Sequence, residues 1–257
     1  MKRAGAAKQG KAAVATRKQG KAATAAVDPA RVRQLCARLA DAIPEPRCEL
    51  RHDDAFQLLV ATILSAQSTD ARVNQVTPAL FAAYPTPKAL AGAELPAVEN
   101  LVRSTGFFRN KAKAIVAASR ILQAEHGGQV PRSLAALIAL PGVARKTANV
   151  VLGTAYRLPT GVVVDTHVGR VTRRLGLTAQ ADPERVEAEL CALLPKDAWI
   201  DTGHRLVLHG RYLCRAKKPA CAACPLAELC PSAEAKPQET PAARARAERL
   251  LIERAPV

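Results

Sequence analysis

Apolar residues recur along this chain at intervals of three and four, the period of helices that each bury one face. Val32, Leu35, Cys36, Leu39 and Ile43 share one face of a helix that Asp28 caps and Pro29 opens. On that face Cys36 is most simply a core residue. The run AFQLLVATILSAQ, starting at residue 55, is apolar nearly all round, as befits a helix at a domain centre. Further helices are predicted near 71–83, 109–126, 131–139, 145–157, 165–175, 182–194 and 201–214. The strand-like run Val162-Val163-Val164 is too short to build a sheet. An all-α fold is the expectation.

At 257 residues with 49% hydrophobic residues, the chain suffices for one large domain or two modest ones. The formal charge of +16 adds a polyanionic partner to the picture, either nucleic acid or an anionic membrane. No apolar run approaches the roughly 18 to 20 residues of a membrane span. No apolar core follows the basic N-terminus, as a secretory signal requires. A soluble, intracellular protein is therefore expected. Residues 1–27 are basic and acid-free, repeat KQGKAA, and read as a disordered tail. That tail is either simply solvated or a non-specific DNA-binding arm; an organellar transit peptide is the weaker alternative, since serine is missing. Residues 232–257 form a C-terminal tail with proline and alternating charge, and its end, AARARAERLLIER, has helical spacing.

Seven cysteines divide into a scattered group and a cluster, Cys214-x6-Cys221-x2-Cys224-x5-Cys230. Four thiolates in one short loop complete a tetrahedral zinc site or hold an iron–sulfur cluster, and spacing alone leaves both open. The ligands do not form two separated pairs, and a helix leads into them, which leans away from a zinc ribbon. Between the first two cysteines lie Lys217 and Lys218. On a metal-pinned loop they suit phosphate contact, although a structural staple with solvated charges reads equally simply.

LPGVARKTANV, residues 140–150, sets a Pro141-Gly142 turn before a helix start. The amides of Gly142 and Ala144, with those of the first helical turn, form an anion cradle, a helix–hairpin–helix signature when preceded by PRSLAALIAL. Arg145 and Lys146 then sit where the helix dipole disfavours cations. Lys146 is either one more phosphate contact or a nucleophile whose neutral amine the dipole favours, suited to Schiff-base chemistry. Arg145 takes a supporting phosphate or packing role. Asp165, in VVVDTHVGRV, opens another helix. It serves as a plain N-cap or as a carboxylate that stabilises an oxocarbenium-like sugar, or as both.

LPGVARKTANVVL, VVVDTHVGRV, ILSAQSTDARVN, GFFRNKAKAI and HGRYLC with its cysteines together resemble the endonuclease III family of DNA glycosylases, over about residues 28–231. The resemblance implies a two-domain helix–hairpin–helix glycosylase fold with a DNA cleft between a six-helix domain and an iron–sulfur cluster domain. Domain limits of 28–47 plus 159–231 for the cluster domain and 48–158 for the six-helix domain follow. It implies a 4Fe–4S cluster on Cys214, Cys221, Cys224 and Cys230. It matches Lys146 to the lysine that attacks C1′, and Asp165 to the essential aspartate. The activity implied is release of oxidised pyrimidines, then strand cleavage by β-elimination through a Schiff base.

Extruding a base leaves a hole in the duplex. Gln67 matches the residue that fills it, its alternative being a buried, hydrogen-bonded glutamine. Phe107 lies where the family has an apolar wedge, its alternative being a core aromatic; Phe108 is expected to be packed, and Arg109 and Lys111, beside Lys113, extend a basic stripe. His167 either lines the pocket or packs in its helix. Ala144 stands where the family's hairpin often has glycine, and alanine disfavours positive φ there. The wedge is aromatic rather than small and aliphatic. A rival, adenine glycosylase, shares the scaffold but typically lacks the lysine and has a further C-terminal domain. A non-catalytic DNA-binding or redox-sensing iron–sulfur protein would not need Lys146, Asp165 and Gln67 together. The expected partner is double-stranded DNA carrying oxidised pyrimidines or abasic sites, bound by a monomer, with no membrane. A bacterial, cytoplasmic, nucleoid-associated location goes with it.

Overall fold

The structure is a computed structural model and describes residues 27–233. The readings made for residues 1–26 and 234–257 lie outside the described residues. Eleven α-helices follow in order among the described residues: α1 (Pro29–Ala42), α2 (Ala55–Ser65), α3 (Asp70–Ala83), α4 (Pro87–Ala91), α5 (Leu95–Val102), α6 (Phe108–Glu125), α7 (Leu134–Ile138), α8 (Arg145–Tyr156), α9 (Thr166–Arg174), α10 (Pro183–Leu193) and α11 (Trp199–Tyr212). No strand occurs among these residues, and Val162–Val164 is extended but unpaired. The all-α expectation holds. None of these helices is long and apolar enough to cross a membrane.

Local chemistry accounts for the helix starts. Asp28, Asp54, Thr69, Asp165 and Asp182 each accept a backbone amide of the first turn, an interaction worth about 1 kcal/mol each. The pair α4 and α5 was not anticipated. Each has a proline in its first turn and buries few side chains, Leu90 in α4 and Val98 and Val102 in α5. α7 is shorter than predicted, because Ser133 caps it only after Pro131.

The buried side chains fall mainly into two clusters. In the first, α2 is the centre: Leu58 to Leu64 are all buried. α3, α6 and α8 pack around it. At roughly 1.5–3 kcal/mol for each large apolar side chain buried, α2 anchors this half. The second cluster joins Val32, Leu35 and Leu39 of α1 to Val162, Val168, Val171, Leu190, Leu206 and Leu226. The chain thus leaves one core after α1 and returns to it after α8. Lys146 opens the last helix of the first core, and Asp165 opens the first helix after the return. The candidate site lies where the two cores meet.

Candidate active site and cysteine loop

The turn before α8 is held by a backbone bond from the Val143 amide to the Leu140 carbonyl, 3.1 Å. Gly142 has φ of 78° and sits so close to α6 that a Cβ would lie 2.8 Å from the Ala114 Cβ. Only glycine meets both demands. Ala144 has φ of −87° and is the N-cap of α8. The positive φ feared for that position is not required, so alanine there is unstrained. No side chain caps α8, which leaves the first-turn amides to an outside acceptor.

Lys146 is exposed in that first turn. Its charge acts on the carboxyls of both Asp165 and Asp70. Buried Val162 and Val164 anchor the extended segment from which Asp165 emerges. Its Oδ1 accepts the amides of His167 and Val168, each at 2.8 Å, and its Oδ2 lies 2.8 Å from His167 Nδ1. Burial works to raise the Asp165 carboxyl, but the bonds from His167 and Val168 outweigh it and hold it below the usual carboxylate range. Asp165 is therefore both N-cap and ionised carboxylate. A cleft of about 550 Å³ is walled by Lys146 and Asp165 together with Arg145, Asn149 and Glu187.

Two of the candidate DNA-facing residues adopt backbone conformations that stability alone does not favour. Phe107 has φ of 46° and is 66% exposed; Gln67 has φ of 53° and is exposed, so the buried-glutamine alternative does not apply. A left-handed residue costs roughly 1–2 kcal/mol, and an exposed phenyl forgoes its burial energy. Such positions cluster at functional sites. Phe108 packs on the first core as expected. Arg109 is exposed, its guanidinium 5.1 Å from the Phe108 ring centre. Lys217 and Lys218 are exposed on the cysteine loop, and Lys218 is also left-handed, at φ of 52°.

One expectation is corrected. Lys111 is no part of a surface stripe: it is 5% exposed, and its ammonium donates to the carbonyls of Leu64 (2.8 Å) and Thr105 (2.7 Å). It satisfies carbonyls at two helix ends in the interior. Of the two roles open to Arg145, the packing one has a partner in the structure: Nη2 pairs with Glu187 Oε1 at 3.0 Å. His167 is Asp165's partner, its Nδ1 2.8 Å from Oδ2.

Sequence reasoning missed Asp70, Glu187 and His209. Asp70 opens α3 and bonds to Arg211 at 2.9 Å; burial and the charge of Asp165 raise its carboxyl. In the sequence it is indistinguishable from any helix-start acid. His209 is wholly enclosed, which depresses its imidazole to about 4, and its Nε2 lies 3.6 Å from Cys224 Sγ.

All four clustered cysteines are free thiols lining one largely apolar cavity. Arg174 donates to the carbonyls of Arg215 (2.7 Å) and Ala216 (3.0 Å), and Arg31 reaches Leu229 from α1. Burial, reinforced by the three neighbouring thiols, pushes the Cys224 thiol up to about 12. Four sulfurs sharing this space cannot all ionise without cations among them, and an iron–sulfur cluster supplies those. Four thiols lining one cavity are a donor set that fits such a cluster.

A turn before a helix without a side-chain cap, together with a lysine and an ionised aspartate at one cleft, defines a helix–hairpin–helix base-excision protein. Residues 60–196 match the HhH-GPD superfamily of base excision DNA repair proteins, and residues 214–230 match the iron–sulfur binding domain of endonuclease III. The endonuclease III of Synechocystis sp. is 53% identical over 192 residues, 75% of this chain and 88% of that protein. A non-covalent endonuclease III–DNA complex superposes with a TM-score of 0.77 at 42% identity, over 81% of this chain and 97% of that one. A trapped covalent endonuclease III–DNA intermediate gives 0.77 and 42%, over 81% and 98%. The chain belongs to the endonuclease III family. It is a base-excision repair enzyme, a DNA glycosylase with abasic-site lyase activity, and its cofactor is a 4Fe–4S cluster.

Proposed function

We propose that Lys146 is the nucleophile and Asp165 the carboxylate that supports it, acting on oxidised pyrimidines in duplex DNA. The observation that carries this reading is the pairing at one cleft of an exposed first-turn lysine with a carboxylate held ionised by two amides and His167. The Lys146 amine attacks C1′ of the damaged nucleotide and the base leaves with the bonding pair. Asp165, being ionised, stabilises the positive charge that develops on the sugar and takes up the proton the amine sheds. The C1′–O4′ bond then breaks, O4′ leaving with the electron pair to become a hydroxyl; the resulting Schiff base acidifies the C2′ protons, and β-elimination expels the 3′ phosphate, breaking the strand on the 3′ side.

The amides of Gly142, Ala144 and the first turn of α8 bind a DNA phosphate, with Arg109, Lys217 and Lys218 as flanking cations. Gln67 fills the space of the extruded nucleotide and Phe107 enters the stack beside it; their exposure and left-handed backbones support this. Cys214, Cys221, Cys224 and Cys230 hold the cluster. When bound it would cross-link the loop through metal–thiolate bonds, and the arginine clamps from α1 and α9 fix the angle at which Lys217 and Lys218 are displayed.

The two buried clusters support a division into a cluster domain, 28–47 plus 159–231, and a six-helix domain, 48–158. The enzyme acts as a monomer in a bacterial cytoplasm, at the nucleoid. A panel of single-lesion duplexes, scored separately for base release and strand cleavage, tests the substrate class. Thymine-glycol and related duplexes should lose base and strand together. Release confined to adenine opposite oxidised guanine would contradict it.

A further inference from the structure

Arg145 lies one residue before the nucleophile and beside the phosphate-facing turn, yet its charge is already matched. Its Nη2 and Nε donate to Glu187 Oε1 (3.0 Å) and Oε2 (3.3 Å). Glu187, on α10, is only 9% exposed. The same Oε1 accepts Asn149 Nδ2 at 3.1 Å, and Asn149 Oδ1 accepts the Thr160 hydroxyl at 2.9 Å. Arg145 and Asn149 are four apart on α8, so one carboxylate grips the start of that helix on one face, at two successive turns. Thr160 and Gly161 begin the segment that runs to Asp165. A Cβ on Gly161 would lie 2.1 Å from Glu187 Oε1, so the backbone there approaches the carboxylate as closely as glycine allows. A buried carboxylate persists only when its charge and lone pairs are met, and here the partners are the two elements that carry Lys146 and Asp165.

We propose that Glu187 is a positioning residue for the reaction: it withdraws Arg145 from the DNA and locks the start of α8 to the segment leading into Asp165. The consequence for catalysis rests on Lys146 being the nucleophile; the hold on Arg145 does not. With Arg145 neutralised, Lys146 stands as the free cation of that turn, and the phosphate is met by backbone amides. Losing the clamp shifts Lys146 relative to Asp165, and small misplacements of reacting groups cost rates steeply.

The test uses the full-length cluster-loaded enzyme and a duplex bearing a reduced abasic-site analogue. Affinity is followed against salt, and borohydride trapping on a natural abasic duplex under single turnover, for wild type, Glu187→Gln, Arg145→Gln and the double variant. In Glu187→Gln the released Arg145 should steepen the slope of log K against log salt by about 0.9, one added phosphate contact. Trapping should slow by about tenfold to a hundredfold without weaker DNA binding. Arg145→Gln should keep the wild-type slope, and the double variant should return to it. A slope shallower by about 0.9 in Arg145→Gln would make Arg145 a DNA contact in the native enzyme and overturn the proposal. So would wild-type trapping in folded Glu187→Gln. Should Glu187→Gln fail to fold, the Arg145→Gln slope still decides. Trapping that survives Lys146→Ala would instead sink the nucleophile assignment and leave the slopes as a test of the clamp.

Discussion

Replacing Lys111 by methionine separates an interior role from a DNA contact. Methionine retains most of the aliphatic stem and deletes the ammonium. The ammonium is buried and bonds to the Leu64 and Thr105 carbonyls at 2.8 and 2.7 Å. Burial holds its proton affinity below the ordinary lysine value, so some desolvation cost disappears with the charge. Against that gain, two buried carbonyls lose their donor, at about 1–3 kcal/mol each. The net expectation is a loss of about 2–4 kcal/mol. With a urea dependence of roughly 3 kcal/mol per molar for a chain of this size, the unfolding midpoint should fall by about 1 M. Leu64 ends α2 just before Gln67, and Thr105 precedes Gly106 and Phe107. The same substitution therefore loosens both left-handed loops, and trapping should weaken. The salt slope of DNA binding should not change. A midpoint within about 0.3 M of wild type, or a slope shallower by one phosphate contact, would refute the reasoning.

Other substitutions probe other parts. Gly142→Ala must place a methyl 2.8 Å from Ala114 at a φ of 78°; strain and overpacking together should cost about 2–4 kcal/mol in urea unfolding, and wild-type stability would contradict the close packing. Asp165→Asn keeps an N-cap of equal quality, so stability should stay within about 1 kcal/mol while base release falls by about 10²–10⁴, and an unimpaired rate would remove Asp165 from the chemistry. His204 is enclosed beside Thr154, 3.2 Å away, and burial lowers its imidazole from 6.5. The unfolded chain therefore takes up that proton first, so its contribution is full above pH 6.5 and declines as pH falls below it. Urea midpoints at pH 7.5 and 5 should show a smaller decline for His204→Gln than for wild type, and equal declines would count against it.

The long helices were legible because each carries an apolar face over several turns, as Val32, Leu35 and Leu39 do in α1. α4 and α5 are too short to establish a period. Lys111 was misplaced by grouping it with the neighbouring cations, although 111, 115, 118 and 122 form the buried face of α6. Period outweighs residue type there, because an ammonium on a long stem can satisfy buried carbonyls. Glu187 sits the same way between Val186 and Leu190 on the buried side of α10. Its partner Arg145 lies 42 residues earlier in the chain, and no local pattern announces a pairing over that distance. Asp165 was legible as an N-cap from its position, but its ionised state depends on His167 turning back onto Oδ2. Ala144 was judged by the turn's usual composition, whereas only Gly142 takes the left-handed conformation.

The central claim is that Lys146 forms the covalent bond to DNA. Borohydride reduction during reaction with an abasic-site duplex, followed by proteolysis and mass mapping of the adduct, tests it most directly. The nucleotide remnant should map to Lys146, and Lys146→Ala, still folded and with its cluster, should yield no adduct. An adduct on another amine, or undiminished trapping in Lys146→Ala, would contradict the account.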